Sequence, residues 1–163
     1  AILLILIRLG LRAIEVCRLT LDDIDWQAGY ISVQGKNTKS SRLPLLYDVG
    51  QAISAYLFYG RPECSTRYLF VRASAPFEAF ASSSAIAGIV RRALIRADLN
   101  PPHKGSHLLR HSCATQMLQK GASLAEIGQI LRHQKVDTTA IYAKIDLNRL
   151  RPIAGAWPKG GML

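Results

Sequence analysis

Residues 106–118, SHLLRHSCATQML, set two histidines and an arginine at the start of an apolar stretch with helical spacing, directly after Pro101, Pro102 and Gly105. Placing a guanidinium or an imidazole among leucines is costly unless each finds a partner. The segment therefore constrains the chain twice. It predicts a helix capped by Ser106 and running to about Lys120, ended by Gly121, and it calls for a partner to meet the cations on that helix. Leu108, Leu109, Cys113, Ala114, Met117 and Leu118 are expected to leave His107 and Arg110 little solvent.

The rest of the chain supplies a scaffold for that helix. The 163 residues, 49% of them hydrophobic, suffice for one domain with its own core. The opening AILLILIRLG is apolar for only seven residues before Arg8, too short for a membrane span and without a basic leader or cleavage site. It reads as a core helix up to Leu9, broken at Gly10 and followed by a second helix over 12–19. Because the sequence begins without Met, an upstream part is expected to be missing. YISVQ (30–34) and RLPLL (42–46) read as strands joined by a long hairpin loop, with YLFV (68–71) as a third short strand. DVGQAISAYLFYG (48–60) is helical with Asp48 as N-cap. The serines at 82–84 cap a helix reaching Ala97, with Ile86, Ile89, Val90, Leu94 and Ile95 on one stripe and Arg91, Arg92 and Arg96 beside it. Ser123 and Glu126 have capping-box spacing for a helix to about Arg132, and a short helix is expected after Asp137. The predicted fold class is α+β, mainly α: a helical bundle with a small antiparallel three-stranded sheet.

Charge narrows the partner. Lysine and arginine number 21 against 11 acidic residues, a formal net charge of +10. Such an excess suits a polyanion. A membrane surface would call for one basic face opposite a Trp/Leu face, whereas these cations are scattered over helices and turns, so nucleic acid is preferred. Cys17, Cys64 and Cys113 are odd in number and contain no C-x-x-C, which fits reduced thiols in the cytosol.

Taken singly, the polar residues have ordinary explanations. Arg12 suits a snorkelling helix start, Lys36 a solvated loop, His133 a helix C-terminus, and Tyr142 an aromatic core position. His103, His107 and His111, with Cys113 nearby, invite a zinc reading. Pro101, Pro102 and Gly105 oppose it by holding His103 in the loop before the helix, and the chain has neither H-E-x-x-H nor a carboxylate cluster for magnesium. No metal and no cofactor are expected. Two arginines, a lysine, two histidines and a tyrosine taken together describe a site for a phosphodiester. Guanidinium forks match non-bridging phosphate oxygens and stay charged at any useful pH. Tyrosine becomes a nucleophile once cations or a base draw off its proton, and a lysine can protonate a departing alkoxide.

Four segments carry a resemblance. LGLRAIEVCRLTLDDIDW, VQGKNTKSSRLPL, HLLRHSCATQML and ILRHQKVDTTAIYAKID, in that order, resemble the boxes of the catalytic domain of the tyrosine recombinases, the phage integrase family, from about Leu3 to Asp146. The resemblance implies a site-specific recombinase or integrase that breaks and rejoins DNA without a metal. Tyr142 is implied as the nucleophile forming a 3'-phosphotyrosine, Arg12 and Arg110 as the phosphate clamp, and His107 and His133 as hydrogen-bonding and proton-transfer groups. Lys36 is implied as general acid and Glu15 as an orienting group, while His111 is left a supporting role in the fold. Lys39, Arg42 and Arg132 are candidate DNA contacts. Family members usually have Leu-Gly-His where this chain has Leu131-Arg132-His133, so Arg132 is expected to alter a helix end or to add such a contact.

The same resemblance implies double-stranded DNA as partner, a tetramer on two DNA sites and a monomer without DNA, and a cytoplasmic, nucleoid-associated location in a bacterial or phage-like setting. It also implies that 1–163 is a catalytic domain whose N-terminal core-binding domain is absent. The tail 147–163, with Leu147, Leu150, Ile153 and Trp157, then either docks on a neighbouring protomer or packs on its own domain. The competing readings are a catalytically silent DNA-binding remnant, a type IB topoisomerase-like relaxing enzyme, and a metal hydrolase.

Overall fold

The structure is a computed structural model and describes residues 1–35 and 40–132. Lys36, Lys39, His133, Tyr142, the helix expected after Asp137 and the tail lie outside the described residues. The described elements run α1 (Ile2–Arg8), α2 (Ala13–Arg18), β1 (Ile24–Asp25), β2 (Tyr30–Gln34), β3 (Ser40–Pro44), α3 (Tyr47–Tyr59), α4 (Ser83–Arg96), α5 (Ser106–Gln119) and α6 (Leu124–Ile130). The fold class is α+β, mainly α, with one three-stranded antiparallel sheet ordered β1-β2-β3.

Helix α1 is the hub. Its Ile5 and Leu6 are fully buried, and it packs against α2, α3 and α5. Arg8 at its end pairs with Asp48 in the first turn of α3, Nε to Oδ2 at 2.8 Å. In the sheet, Ile24 faces Ile31 and Ile31 faces Leu43, so the period-2 alternation sends Ile31, Val33 and Leu43 into the main core while Ser32 and Arg42 face each other. Helix α4 contributes Ile86, Val90 and Leu94 to that core and packs on α2. A smaller core of Cys113, Ala114, Ile127 and Leu131 joins α5 to α6.

Several local expectations are corrected. The third strand is Ile24–Asp25, not 68–71. Residues 68–71 are apolar because Leu69 and Phe70 enter the core, and they meet the turn at 19–21 through single contacts such as Leu69 N–H to Leu19 O at 2.7 Å; a turn offers no ladder to extend. The second hairpin strand is shifted toward Ser40, its pairing fixed by Gln34 opposite Ser40. Asp48 lies in the first turn of α3, whose N-cap is Leu46, and Ser106 is the first residue of α5, capped by Gly105. Ile95 is 61% exposed, one position off the apolar stripe of α4. The Ser123 capping box is present, with the Ser123 hydroxyl accepting from Glu126 N–H.

A candidate phosphate site built on two arginines

The site starts from the break at Gly10. Its φ of +60° lies in the left-handed region, and a Cβ there would stand 2.4 Å from Leu131 Cδ2 and 3.3 Å from Cys113 Sγ. Only glycine lets the α1–α2 connection pass this close to α5 and to the end of α6. That passage brings three distant parts of the sequence together: 10–15, Arg110 and 131–132.

Arg12 is the N-cap of α2, and Glu15, three residues on, reaches back to it as the acidic half of a capping box does. The Arg12 backbone N–H donates to Glu15 Oε2 at 2.7 Å, and its Nη1 donates to Glu15 Oε1 at 2.8 Å. Arg12 Nη2 donates to the carbonyl of Arg132 at 3.0 Å. Arg132 in turn donates from Nη2 to Glu15 Oε2 at 2.7 Å. The Glu15 side chain is 5% exposed, that of Arg132 10%, and that of Arg12 35%. Arg12 alone of the three keeps substantial contact with solvent.

Arg110 is buried on α5, where Nη1 donates to the Gly10 carbonyl and Nη2 to the Leu131 carbonyl. Here is the partner that the apolar setting of Arg110 demands. Carbonyls at a helix end lack intrahelical donors, and those of residues 131 and 132, closing α6, are met by Arg110 and Arg12 respectively. Sequence reading paired these arginines through a phosphate; the structure adds that both are already held by neighbouring carbonyls.

Two guanidinium groups, those of Arg12 and Arg132, thus face the Glu15 carboxylate, and a third, Arg110, lies on the neighbouring carbonyls. Burial pushes the Glu15 carboxyl up, but the charge of Arg132 and the hydrogen bonds from Arg12 and Arg132 outweigh it and hold Glu15 below the ordinary carboxylate value. Glu15 stays ionised, and the surplus cationic charge favours an anion at the exposed edge of Arg12.

Not every expectation fits. His107 is exposed, not shielded by leucines; it sits three residues before Arg110, on the same side of α5. His111 is exposed as well, and partial desolvation with the positive charges of His107, Arg110 and His103 lowers its pKa. Arg42, on β3, lies over the Tyr30 ring with its guanidinium carbon 4.6 Å from the centroid, exposed to solvent. Arg132, a candidate DNA contact, has its guanidinium on Glu15. Among the described residues no group of three or more His, Cys, Asp or Glu side chains is placed to hold a metal ion. An open groove lined by Trp26, Tyr47, Phe58 and Tyr59 involves none of the cluster residues. Sequence reading missed the acceptors for the arginines, backbone carbonyls that no residue type reveals, and the Arg132–Glu15 pair, whose one signal was that the resemblance leads one to expect glycine at position 132.

A mainly helical domain with a small antiparallel sheet, stitched through an arginine pair, has the architecture of tyrosine-recombinase catalytic domains. The chain belongs to the phage integrase family, whose model matches residues 1–149. It is 51% identical over 97% of its length to "Putative integrase/recombinase y4rA" of Sinorhizobium fredii, and 34% identical over 98% of its length to tyrosine recombinase XerD of Mycobacterium tuberculosis. It spans 38% and 52% of those two proteins. Among solved structures, XerH site-specific recombinase bound to palindromic difH substrate in a post-cleavage complex superposes with a TM-score of 0.77 at 25% identity, covering 97% of this chain and 45% of that one.

Proposed function

We propose that residues 1–163 form the catalytic domain of a site-specific DNA recombinase or integrase that works without a metal or cofactor. The observation that carries this reading is the convergence of Arg12 and Arg110 on one helix end, with Arg12 still presenting an edge to solvent. The Tyr142 oxygen attacks the scissile phosphorus, the bond from phosphorus to the 5' oxygen breaks, and the tyrosyl proton leaves through a neighbouring base. Lys36 protonates the departing 5' oxygen. Arg12 and Arg110 bind the non-bridging oxygens, where one such donor is worth about 3 kcal/mol of barrier. His107 and His133 hydrogen-bond the phosphate and relay protons. A 5'-hydroxyl from a second duplex then reverses the attack and releases Tyr142, so the bond energy is retained and no nucleotide is consumed.

In this reading Lys39 and Arg42 contact the DNA backbone, the active assembly is a tetramer on two duplexes formed from monomers, and the protein works in the cytoplasm at the nucleoid. Support comes from the relatives named above, one of them solved on a cleaved substrate.

The test uses a pool of random-sequence duplexes, each nicked near its centre so that a cleaved end diffuses away and a covalent complex accumulates. The wild-type chain is expected to yield adducts that survive denaturant and are indifferent to chelator, and Tyr142→Phe to bind DNA without yielding them. Adducts persisting in Tyr142→Phe, or lost with chelator, overturn the mechanism. DNA binding by the wild type without any adduct makes the chain a silent DNA-binding domain instead.

A further inference from the structure

Arg132 occupies a backbone conformation that a side chain rarely adopts. Its φ is +55°, in the left-handed region. Its Nε is buried with no hydrogen-bond partner among the described residues. Both features disfavour arginine here; glycine would avoid each of them. What the side chain gains is a local hydrogen bond from Nη1 to the Ile130 carbonyl at 3.2 Å and the 2.7 Å ion pair from Nη2 to Glu15 Oε2, and Glu15 is the residue that grips Arg12 at both its backbone N–H and its Nη1. The Arg132 carbonyl meanwhile accepts from Arg12 Nη2. One residue therefore reaches Arg12 by two routes, through its carbonyl and through a carboxylate that it shares.

We propose that Arg132 is a positioning residue of the phosphate site: its guanidinium fixes the Glu15 carboxylate, which orients Arg12, whose remaining edge meets the anion. The role rests on the reading of Arg12 as a phosphate ligand. Without the Arg132 side chain, Glu15 keeps among the described residues the Arg12 backbone N–H on Oε2 and the Arg12 Nη1 on Oε1, so the carboxylate loses its brace from the α6 side and the Arg12 guanidinium gains freedom. The charge lost with Arg132 also lets Glu15 titrate at higher pH, which gives a readout independent of DNA.

Arg132→Gly suits the test because the backbone at φ +55° accepts glycine and the carbonyl to Arg12 is retained; Arg132→Lys keeps the charge. The probe is inorganic phosphate, titrated into protein labelled for NMR detection of the Arg12 guanidinium and the Glu15 carboxyl. In Arg132→Gly we expect an unchanged or higher Tm, an upward shift of the Glu15 titration, faster exchange of the Arg12 guanidinium protons with water, and phosphate binding at Arg12 about tenfold weaker. Arg132→Lys is expected to restore most of the phosphate affinity. Unchanged Arg12 exchange and phosphate affinity in a folded Arg132→Gly protein overturn the proposal, as does a loss that tracks a fall in Tm and is not rescued by lysine. Failure of the parent reading shows separately: the wild type then gives no shift of Arg12 with phosphate and no covalent adduct with nicked DNA.

Discussion

Arg12 and Arg110 rest on adjacent carbonyls of one helix end: Arg12 donates to Arg132 O at 3.0 Å and Arg110 to Leu131 O. The two differ in what surrounds them. Arg110 is 6% exposed and also holds the Gly10 carbonyl, whereas the Arg12 side chain is 35% exposed. Arg110 is thus part of the packing as well as of the charge, and Arg12 keeps one edge of its charge presented outward.

Lysine substitutions separate these roles. Arg110→Lys keeps the charge but cannot span two carbonyls, so at least one buried acceptor loses its donor at a cost of about 1–3 kcal/mol, and adduct formation falls about 100-fold or more. Arg12→Lys is expected to lower adduct formation to a similar degree with a stability change under about 1 kcal/mol. Urea unfolding and single-turnover adduct formation on nicked DNA measure both. Equal destabilisation by the two changes would contradict the division of labour.

Gly10→Ala combines two penalties. The left-handed φ of +60° costs about 1–2 kcal/mol for a residue with a Cβ, and the new methyl meets Leu131 Cδ2 at 2.4 Å, an overpacking of about 1–3 kcal/mol. The expected loss is about 2–5 kcal/mol in urea unfolding, together with adduct formation, because strain at Gly10 and Leu131 disturbs the carbonyls of 10, 131 and 132 that hold the arginines. A variant as stable as wild type would show that the 10–12 connection is not the close contact described here.

Much of this was legible beforehand and some was not, for a physical reason. The cation-bearing helix, the break at Gly10 and the capping box at Ser123 follow from residue types whose side chains or backbone freedom dictate local structure. Arg12, Glu15 and Arg110 were singled out by type and spacing, and the structure brings them to one place. Their acceptors are main-chain carbonyls at 10, 131 and 132, which every residue possesses and no sequence pattern distinguishes. The strand misplaced at 68–71 failed similarly: the consecutive apolar residues Leu69, Phe70 and Val71 report burial, and burial here comes with contacts to a turn. His107 was judged by its leucine neighbours in sequence, yet those lie on other sides of α5, and the imidazole is exposed.

Arg42 distinguishes backbone contact from simple stacking. It is exposed above Tyr30, so its removal changes little in the core. Log Kd for duplex DNA is expected to rise steeply with log salt, and Arg42→Ala to weaken binding while reducing that slope by about 0.9, the share of one phosphate contact. An unchanged slope would confine Arg42 to contacts within its own domain, the Tyr30 ring and the Asp25 charge among them.

Glu15 gives the pH dependence its sign. Its carboxyl is held below the ordinary value of 4.5 in the folded chain, burial being outweighed by Arg132 and Arg12, so the unfolded chain binds its proton more tightly. The stabilisation is therefore complete above about pH 4.5 and is lost as pH falls through the depressed folded value. Glu15→Gln removes that dependence and strands the Arg132 guanidinium, 10% exposed, without its anion. At pH 7 the variant should be less stable by about 3 kcal/mol, the cost of leaving a buried charge unpaired, and the gap to wild type should close as acid protonates Glu15. Urea unfolding from pH 7 down to pH 3 tests this directly. A gap that stays constant with pH means the loss is one of packing, since only a titrating partner makes the two curves converge.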